Sequence, residues 1–339
     1  MRLIAFTAAA AAALMAGSAA AETYQASGVR IEDAAARVEI IPENRSDYDV
    51  SVQAGARIAA PRVSVENGQI QIDGNLRLQG CSSTAGGGNR VRVAGQGWVR
   101  EADLPRIVIR TPRTLSVSMG GAVYGDVGAS NGGALQVVGC GDTNVAAVSG
   151  DLRLQVTGSG DVRVADVSGG LDASLTGSGD VIAATAGADA RLRLTGSGDL
   201  RMGRVGGALD ASLTGSGDLE AGNVGAGAEL RLTGSGDVLV RDVRGRLNAE
   251  LTGSGDVTVN AVTGEMATLR LNSSGDLIVR DGRVERLSVR NGGSGDLQFG
   301  GSAAVAEIEV RGSGNVSVAE AGRVERMIDN GSGSVRVGR

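Results

Sequence analysis

Apolar and polar side chains alternate along most of the chain beyond residue 113. In residues 161–167, "DVRVADV", valines alternate with polar residues, and residues 171–175, "LDASL", repeat the alternation. Because successive side chains of a strand point to opposite faces, this pattern predicts two short strands, each with one buried face. The bends "VSGG" and "TGSGD" separate these strands, since glycine, serine and aspartate are typical of turns.

This pair of strands recurs at an almost constant interval. The aspartate that ends "TGSGD" returns every 19 residues from Asp142 to Asp256, and the equivalent positions continue at intervals of 20, 20, 19 and 19 to Ser334. A fixed period near 20 residues is typical of a solenoid, in which each coil buries its core against its neighbours. The sequence therefore predicts an all-β fold, a parallel β-solenoid (β-helix) with coils of about 19 residues.

Two further patterns predict how the coils stack. Eleven residues after successive motif positions, the outward side chains are Arg153, Asp172, Arg191 and Asp210. The inward pairs, ten and twelve residues after the motif, are Leu171/Ala173, Ala190/Leu192, Leu209/Ala211, Ala228/Leu230 and Leu247/Ala249. Alternating charge outside and alternating size inside both favour in-register stacking. The true repeat is then two coils, which explains why "LDASLTGSGD" occurs identically at 171–180 and 209–218.

Residues 22–113 follow another pattern. They contain all four prolines, and the stretches "VEII", "YDVSV", "RVSV", "QIQI", "RVRV" and "RIVI" resemble short strands. We expect an irregular β-rich N-terminal segment over 22–113, with a flexible loop at 81–89, and a regular solenoid over 114–339 with degenerate last coils.

The first 21 residues have the features of a secretory signal peptide. Arg2 precedes an apolar stretch, and Ala19–Ala21 form a small-residue cleavage site before Glu22. No later stretch approaches the roughly 20 apolar residues of a membrane span, so we expect no integral membrane segment in the mature chain. The protein is predicted to be exported, either to the periplasm or to the cell surface or extracellular space.

The composition excludes several functions. The sequence has no histidine and no lysine, which removes the usual nucleophile pairs, the P-loop and histidine metal sites. The formal net charge of −5 is spread along the chain without a basic stripe, so nucleic acid is not an expected partner. We predict neither an enzyme nor a resident cofactor.

The two cysteines, Cys81 and Cys140, are predicted to form a disulfide. Disulfides are the usual state of paired cysteines in exported proteins. Closing a loop of about 60 residues would stabilise the fold by roughly 4 kcal/mol in the loop-entropy model.

The repeated "TGSGD" has a structural and a functional interpretation. In the structural interpretation, the motif forms a turn: glycine adopts backbone conformations that other residues avoid, while serine and aspartate form hydrogen bonds with the local backbone. Alternatively, carboxylates stacked about 4.8 Å apart repel each other by about 1 kcal/mol, which a calcium ion would relieve. The predicted calcium column consists of Asp161, Asp180, Asp199, Asp218, Asp237 and Asp256. A glycosidase would need one distinct carboxylate pair, and this column is monotonous, so we predict no catalytic residues.

The chain also resembles a known family. The segment at 29–52, "VRIEDAAARVEIIPENRSDYDVSV", then "LPRIVIRTP", then the "LTGSGDV" coils are similar to the head GIN domain family of bacterial auto-transporter adhesins. The resemblance covers most of residues 28–320 and implies an exported, non-enzymatic β-solenoid of the cell envelope. We therefore expect a structural scaffold or an adhesion module whose partner is an envelope or surface protein or a polysaccharide. The alternative is a calcium- or glycan-binding solenoid that uses the corner aspartates.

Overall fold

The computed structural model describes residues 21–84 and 88–339, so the predicted signal peptide, apart from Ala21, lies outside the described residues. The N-terminal strands are β1 (Glu22–Tyr24), β2 (Val29–Glu43), β3 (Tyr48–Gln53), β4 (Arg62–Glu66), β5 (Gln69–Asp73), β6 (Leu78–Thr84), β7 (Gly88–Val93), β8 (Gly97–Arg100) and β9 (Arg106–Pro112). A short 3-10 helix, Glu101–Asp103, joins β8 to β9. No helix within these described ranges is long and apolar enough to cross a membrane.

Nineteen further strands complete the chain. The first ten are β10 (Thr114–Val127), β11 (Gly132–Cys140), β12 (Thr143–Val145), β13 (Leu152–Gly158), β14 (Val162–Val167), β15 (Leu171–Gly177), β16 (Val181–Ala186), β17 (Ala190–Gly196), β18 (Leu200–Val205) and β19 (Leu209–Gly215). The others are β20 (Leu219–Ala221), β21 (Ala228–Gly234), β22 (Val238–Arg244), β23 (Leu247–Leu251), β24 (Val257–Leu271), β25 (Leu277–Asn291), β26 (Leu297–Val310), β27 (Val316–Asp329) and β28 (Val335–Val337).

These strands form a parallel β-solenoid, as the periodicity predicts. Each strand of the regular coils pairs in parallel with the equivalent strand one coil later, so that Leu152 lies opposite Leu171 and Leu171 opposite Ala190. Towards the C-terminus the two strands of each coil merge into the single long strands β24 to β27. The predicted fold class is therefore confirmed.

The predicted exchange of large and small core residues is also confirmed. One buried column runs through Leu171, Ala190, Leu209, Ala228 and Leu247, which are paired in this order. The adjacent column has the opposite sequence of sizes: Ala173, Leu192, Ala211, Leu230 and Ala249. All ten side chains are buried. Each alanine therefore leaves room for a leucine in the neighbouring column, and the narrow core is filled without overpacking.

The N-terminal segment joins the same sheet but is less regular. β2 pairs in parallel with β5, β9 and β10, whereas β1 with β3, β3 with β9 and β4 with β5 are antiparallel pairs. All six stretches predicted as strands lie in strands. The chain thus enters the solenoid through β2 and β10, and the antiparallel strands add the irregularity expected of this segment.

A small lobe, residues 78–100, stands outside the solenoid. Its strands β6, β7 and β8 form a separate antiparallel sheet. Val91, Val93 and Val99 of the lobe pack against Ala122 and Tyr124 on the outer side of β10 in a second hydrophobic core. The expectation of a flexible loop at 81–89 is wrong for most of that stretch, because cross-strand pairing draws the chain into β6 and β7. Residues 85–87 lie outside the described residues.

The predicted disulfide ties this lobe to the solenoid. Cys81 of β6 and Cys140 of β11 are bonded, with their Cα atoms 6.1 Å apart. Because the lobe core is small, this covalent link fixes the position of the lobe on the side of the first coils.

The corners of the coils require glycine for a reason beyond backbone conformation. Gly177 has a φ of +138°, and a Cβ atom added there would lie 2.0 Å from the Gly158 carbonyl oxygen of the preceding coil. At Gly217, where φ is ordinary, an added Cβ would lie 1.8 Å from the Gly198 oxygen. Side chains of any size are therefore excluded by the preceding coil.

Gly217→Ala should lower the free energy of unfolding by about 1–3 kcal/mol, because the new methyl group collides with backbone that cannot move without separating two coils. Gly170→Ala is the matched control, since its added Cβ would meet no atom closer than the Asp189 oxygen at 3.2 Å. Chemical denaturation of both variants measures the difference. Equal destabilisation would contradict the steric explanation.

Candidate functional site

The corner aspartates form a hydrogen-bonded ladder between coils. The Asp161 Oδ1 atom accepts the backbone N–H of Asp180 at 3.0 Å, and Asp180 does the same for Asp199 at 2.9 Å. The ladder continues through Asp218, Asp237, Asp256, Asp276, Asp296, Asn315 and Ser334. The local turn chemistry inferred from the sequence is thus only part of the explanation, because the aspartate side chain bonds to the next coil.

The calcium column stays a prediction in this geometry. One carboxylate oxygen of each residue from Asp161 to Asp256 is engaged by a backbone N–H, and the second oxygen of Asp199 also accepts from Arg201 at 2.7 Å. Over residues 21–84 and 88–339, no three acidic or cysteine side chains cluster as metal ligands. Backbone N–H groups therefore already offset part of the repulsion between the stacked carboxylates, which was the reason for expecting calcium.

An open groove runs along the solenoid at the opposite corner of the coils. This axial groove has a volume of about 970 Å³ and extends over roughly seven coils, from Gly133 to Asn248. Its polar lining consists of Asp151, Arg153, Asp172, Asp189, Arg191, Asp210, Glu229, Arg246 and Asn248. Small residues such as Gly170 and Ala208 keep the groove open along one of its two walls.

One wall of the axial groove carries stacked charges. Arg153, Asp172, Arg191 and Asp210 pair in register, so the predicted alternation of outward charge is found. Arg191 Nε lies 3.2 Å from Asp210 Oδ2, with both side chains substantially exposed. Exposed pairs of this kind contribute little to stability, about 0–1 kcal/mol each. Their charged groups are therefore available to a ligand at little structural cost.

The other wall shows the same two-coil period. Asp151 Oδ1 accepts the backbone N–H of Gly170 at 2.7 Å, and Asp189 Oδ1 accepts that of Ala208 at 2.8 Å. Aspartate thus alternates with a small residue from Asp151 to Ala208, after which Gly227 and Arg246 end the alternation. The first coils of the groove therefore have a two-coil chemical period, roughly 9.6 Å at the usual strand spacing.

A second, smaller cavity lies where the lobe meets the solenoid. This lobe pocket has a volume of about 450 Å³ and is lined by Arg37, Val38, Glu39, Asn89, Glu101, Arg106, Tyr124, Gly125, Asp126, Asp142 and Asn144. Asn89 Nδ2 donates to Glu101 Oε2 at 2.9 Å and lies 3.5 Å from Asp142 Oδ2. Asp142 is the first motif aspartate. Its carboxylate lies next to Asn89 of the lobe, whereas the carboxylates of the later motif aspartates bond to the next coil.

Tyr124 is the most unusual residue of the lobe pocket. Only 8% of the residue is exposed, while its hydroxyl, which bonds to no described residue, reaches the space of the cavity. Burial, together with the negative charges of Glu101 and Asp142, raises the pKa of Tyr124 to about 12. The phenol therefore keeps its proton well above neutral pH and provides a hydrogen-bond donor at the cavity.

The lobe pocket has no signature in the sequence that would predict it. Its residues come from β2, β7, β9, β10, β12, the turn before β12 and the 3-10 helix, and no single period along the chain relates all of them. The predicted disulfide is the one feature of the sequence that points to this pocket. A bond from Cys81 to Cys140 brings the lobe residues after Cys81 close to Asp142. The predicted corner column, by contrast, lies outside both the axial groove and the lobe pocket at all six of its positions. Three of its members, Asp218, Asp237 and Asp256, line another cavity of about 320 Å³.

Variants of Asp237 separate the ladder from calcium binding. Asp237→Asn keeps an oxygen acceptor, as Asn315 does naturally, and should melt close to the wild type. Asp237→Ala leaves the Asp256 N–H without its partner and should lower stability by about 1 kcal/mol. Thermal melts in calcium and in chelator measure both effects. Both variants lose the carboxylate. If calcium raises the melting midpoint of the wild type and neither variant keeps this effect, the result would support the metal column instead of the ladder.

The raised pKa of Tyr124 makes a prediction for alkaline solution. A tyrosine whose folded pKa lies above its ordinary value of 10.0 contributes stability that is present below pH 10 and is lost as pH rises towards 12. Between pH 10 and pH 12, the thermal melting midpoint of Tyr124→Phe should therefore fall less than that of the wild type. Tyrosinate absorbance of the folded proteins provides the direct check, and ionisation of Tyr124 near pH 10 would contradict the assigned environment.

The chain is similar to known proteins at two levels, a solved structure and a sequence family, whereas no curated protein matches it. A crystal structure described as "Putative lipid binding protein" from Parabacteroides distasonis ATCC 8503 is 15% identical, with a TM-score of 0.26, and the match covers 96% of this chain and 98% of that one. The family model described as "Putative auto-transporter adhesin, head GIN domain" matches residues 152–261 and 257–338, more than half of the chain. The chain therefore belongs to the auto-transporter adhesin head GIN domain family.

Proposed function

We propose that the mature chain, starting at Glu22, is a non-enzymatic adhesion or scaffold module of the cell envelope that holds an extended polysaccharide along its axial groove. The observation that carries this proposal is the groove itself, which presents charged and polar side chains along roughly seven coils and alternates their charge from Arg153 to Asp210. The family description, which names an adhesin, supports a binding role, and the disulfide supports export.

The shape of the axial groove favours a polymer over a small molecule. Seven coils at about 4.8 Å each extend over roughly 30 Å, and no closed end concentrates the contacts at one point. A repeating surface binds best to a repeating partner, because many weak contacts along one chain combine into useful avidity.

The hydrogen bonding of the groove favours a saccharide over a peptide. Extended peptides usually add to a free strand edge, but the strands that line this groove, such as β15 and β17, already pair on both sides with neighbouring coils. Recognition must then come from side chains. Sugar hydroxyls both donate and accept, which matches a wall of alternating guanidinium and carboxylate groups such as Arg191 and Asp210.

The charge of the groove argues against nucleic acid. Arg153 and Arg191 alternate with Asp172 and Asp210 on the same wall. Phosphate backbones are bound by surfaces with a clear excess of positive charge, and this wall has none. A neutral or weakly charged polysaccharide therefore fits best.

Purified residues 22–339 should bind polysaccharide extracted from the envelope of the expressing cells. The double variant Arg153→Ala/Arg191→Ala removes two donors from one wall and should weaken binding about tenfold, since hydrogen bonds from charged groups contribute about 1.5–3 kcal/mol and only part is realised at an exposed surface. Arg283→Ala/Arg290→Ala, two exposed arginines outside the groove, is the matched control. Equal binding by both double variants would refute the groove as the site.

Antibody labelling of intact and permeabilised cells tests the location separately. We propose a surface or periplasmic position, and adhesion to other cells requires signal on intact cells. Signal only after permeabilisation would restrict the protein to a scaffold role in the periplasm.

A further inference from the structure

We propose that the lobe pocket is a separate binding site for one neutral sugar residue, held through its hydroxyl groups by Tyr124, Glu101 and Asp142. The site shares no lining residue with the axial groove and does not depend on the function proposed for it.

The pocket is a built cavity and not a gap in loose packing. The disulfide from Cys81 to Cys140 fixes one side of the lobe, and the second hydrophobic core under β7 and β8 supports it. Its volume of about 450 Å³ lies in the usual range of 300–1,000 Å³ for small-molecule sites. One pyranose ring with ordered water fits a space of this size.

The hydroxyl of Tyr124 supplies a hydrogen-bond donor to the cavity. Tyr124 lines the cavity with a largely buried ring and a protonated hydroxyl that bonds to no described residue. A ligand oxygen in the cavity would accept the hydrogen bond that this hydroxyl donates.

The two carboxylates provide the complementary acceptors. Glu101 and Asp142 share the amide of Asn89, which holds them on the same side of the cavity and uses only one lone pair of each. A carboxylate accepts hydrogen bonds at about four positions. Neighbouring sugar hydroxyls can therefore donate to these carboxylates while another oxygen accepts from Tyr124.

Other ligand classes match this arrangement less well. An anionic sugar would meet a lining with four carboxylates, those of Glu39, Glu101, Asp126 and Asp142, against the two guanidinium groups of Arg37 and Arg106. Arg106 is already paired with Glu39, so the net charge of the cavity disfavours an anion. An ammonium group only donates, so it would leave the Tyr124 proton unused. For a metal ion, the described residues provide no group of three acidic or cysteine ligands. Hydroxyl groups alone satisfy both the donor and the acceptors.

The test uses ligand-observed NMR and calorimetry on residues 22–339 with the disulfide intact. The probes are glucose, galactose, mannose and N-acetylglucosamine, with glucuronate and glucosamine as charged comparisons. We expect at least one neutral sugar to bind, and Tyr124→Phe, which removes only the hydroxyl, to weaken that binding about tenfold. Tyr48→Phe, at a second buried tyrosine outside the pocket, should bind like the wild type.

Asp142→Asn provides a second variant that keeps the shape of the side chain but weakens one acceptor, and it should also lower affinity. Each variant is first compared with the wild type by thermal melt, so that lost folding is not taken for lost binding. The proposal is overturned if no neutral sugar binds the wild type, if Tyr124→Phe binds equally well, or if glucuronate or glucosamine binds more tightly than the neutral sugars. Loss of groove binding without loss of pocket binding would refute only the polysaccharide groove.

Discussion

The backbone at each coil corner lies against the backbone of the preceding corner, and the regular part of the protein follows from this close contact. Consecutive coils stack at the spacing of neighbouring strands, so one corner faces the carbonyl groups of the previous one. Gly217 illustrates the limit, because even one methyl group would overlap the Gly198 oxygen. The aspartate ladder uses the same closeness, since Asp218 can reach the N–H of Asp237 only when the corners are aligned.

This contact separates the shared geometry of the coils from the chemistry of their surface. Corner glycines, ladder aspartates and inward leucines or alanines are fixed by stacking, whereas outward positions are limited only by their neighbours in register. Side chains at those positions are therefore stacked in columns, and the axial groove acquires a polar lining, periodic over its first coils, without any special loop. A repeating ligand surface is a direct consequence of a repeating backbone.

The lobe is where the protein departs from repetition. At the first motif, Cys140 replaces the usual serine and bonds to Cys81, and Asp142 turns to Asn89 of the lobe. These changes bring side chains from distant parts of the chain around Tyr124. A solenoid surface is open and shallow, so an added lobe is needed to enclose a small cavity.

Local periodicity is enough to predict the solenoid and its register, and the presence of only two cysteines is enough to predict the disulfide. The exchange of leucine and alanine between adjacent columns follows from the sequence alone, since coils of equal length place equivalent residues side by side. The lobe pocket, by contrast, exists only in the folded chain. Glu101, Tyr124 and Asp142 have no common period, and they meet because a hydrophobic core and one disulfide hold the lobe against the first coils.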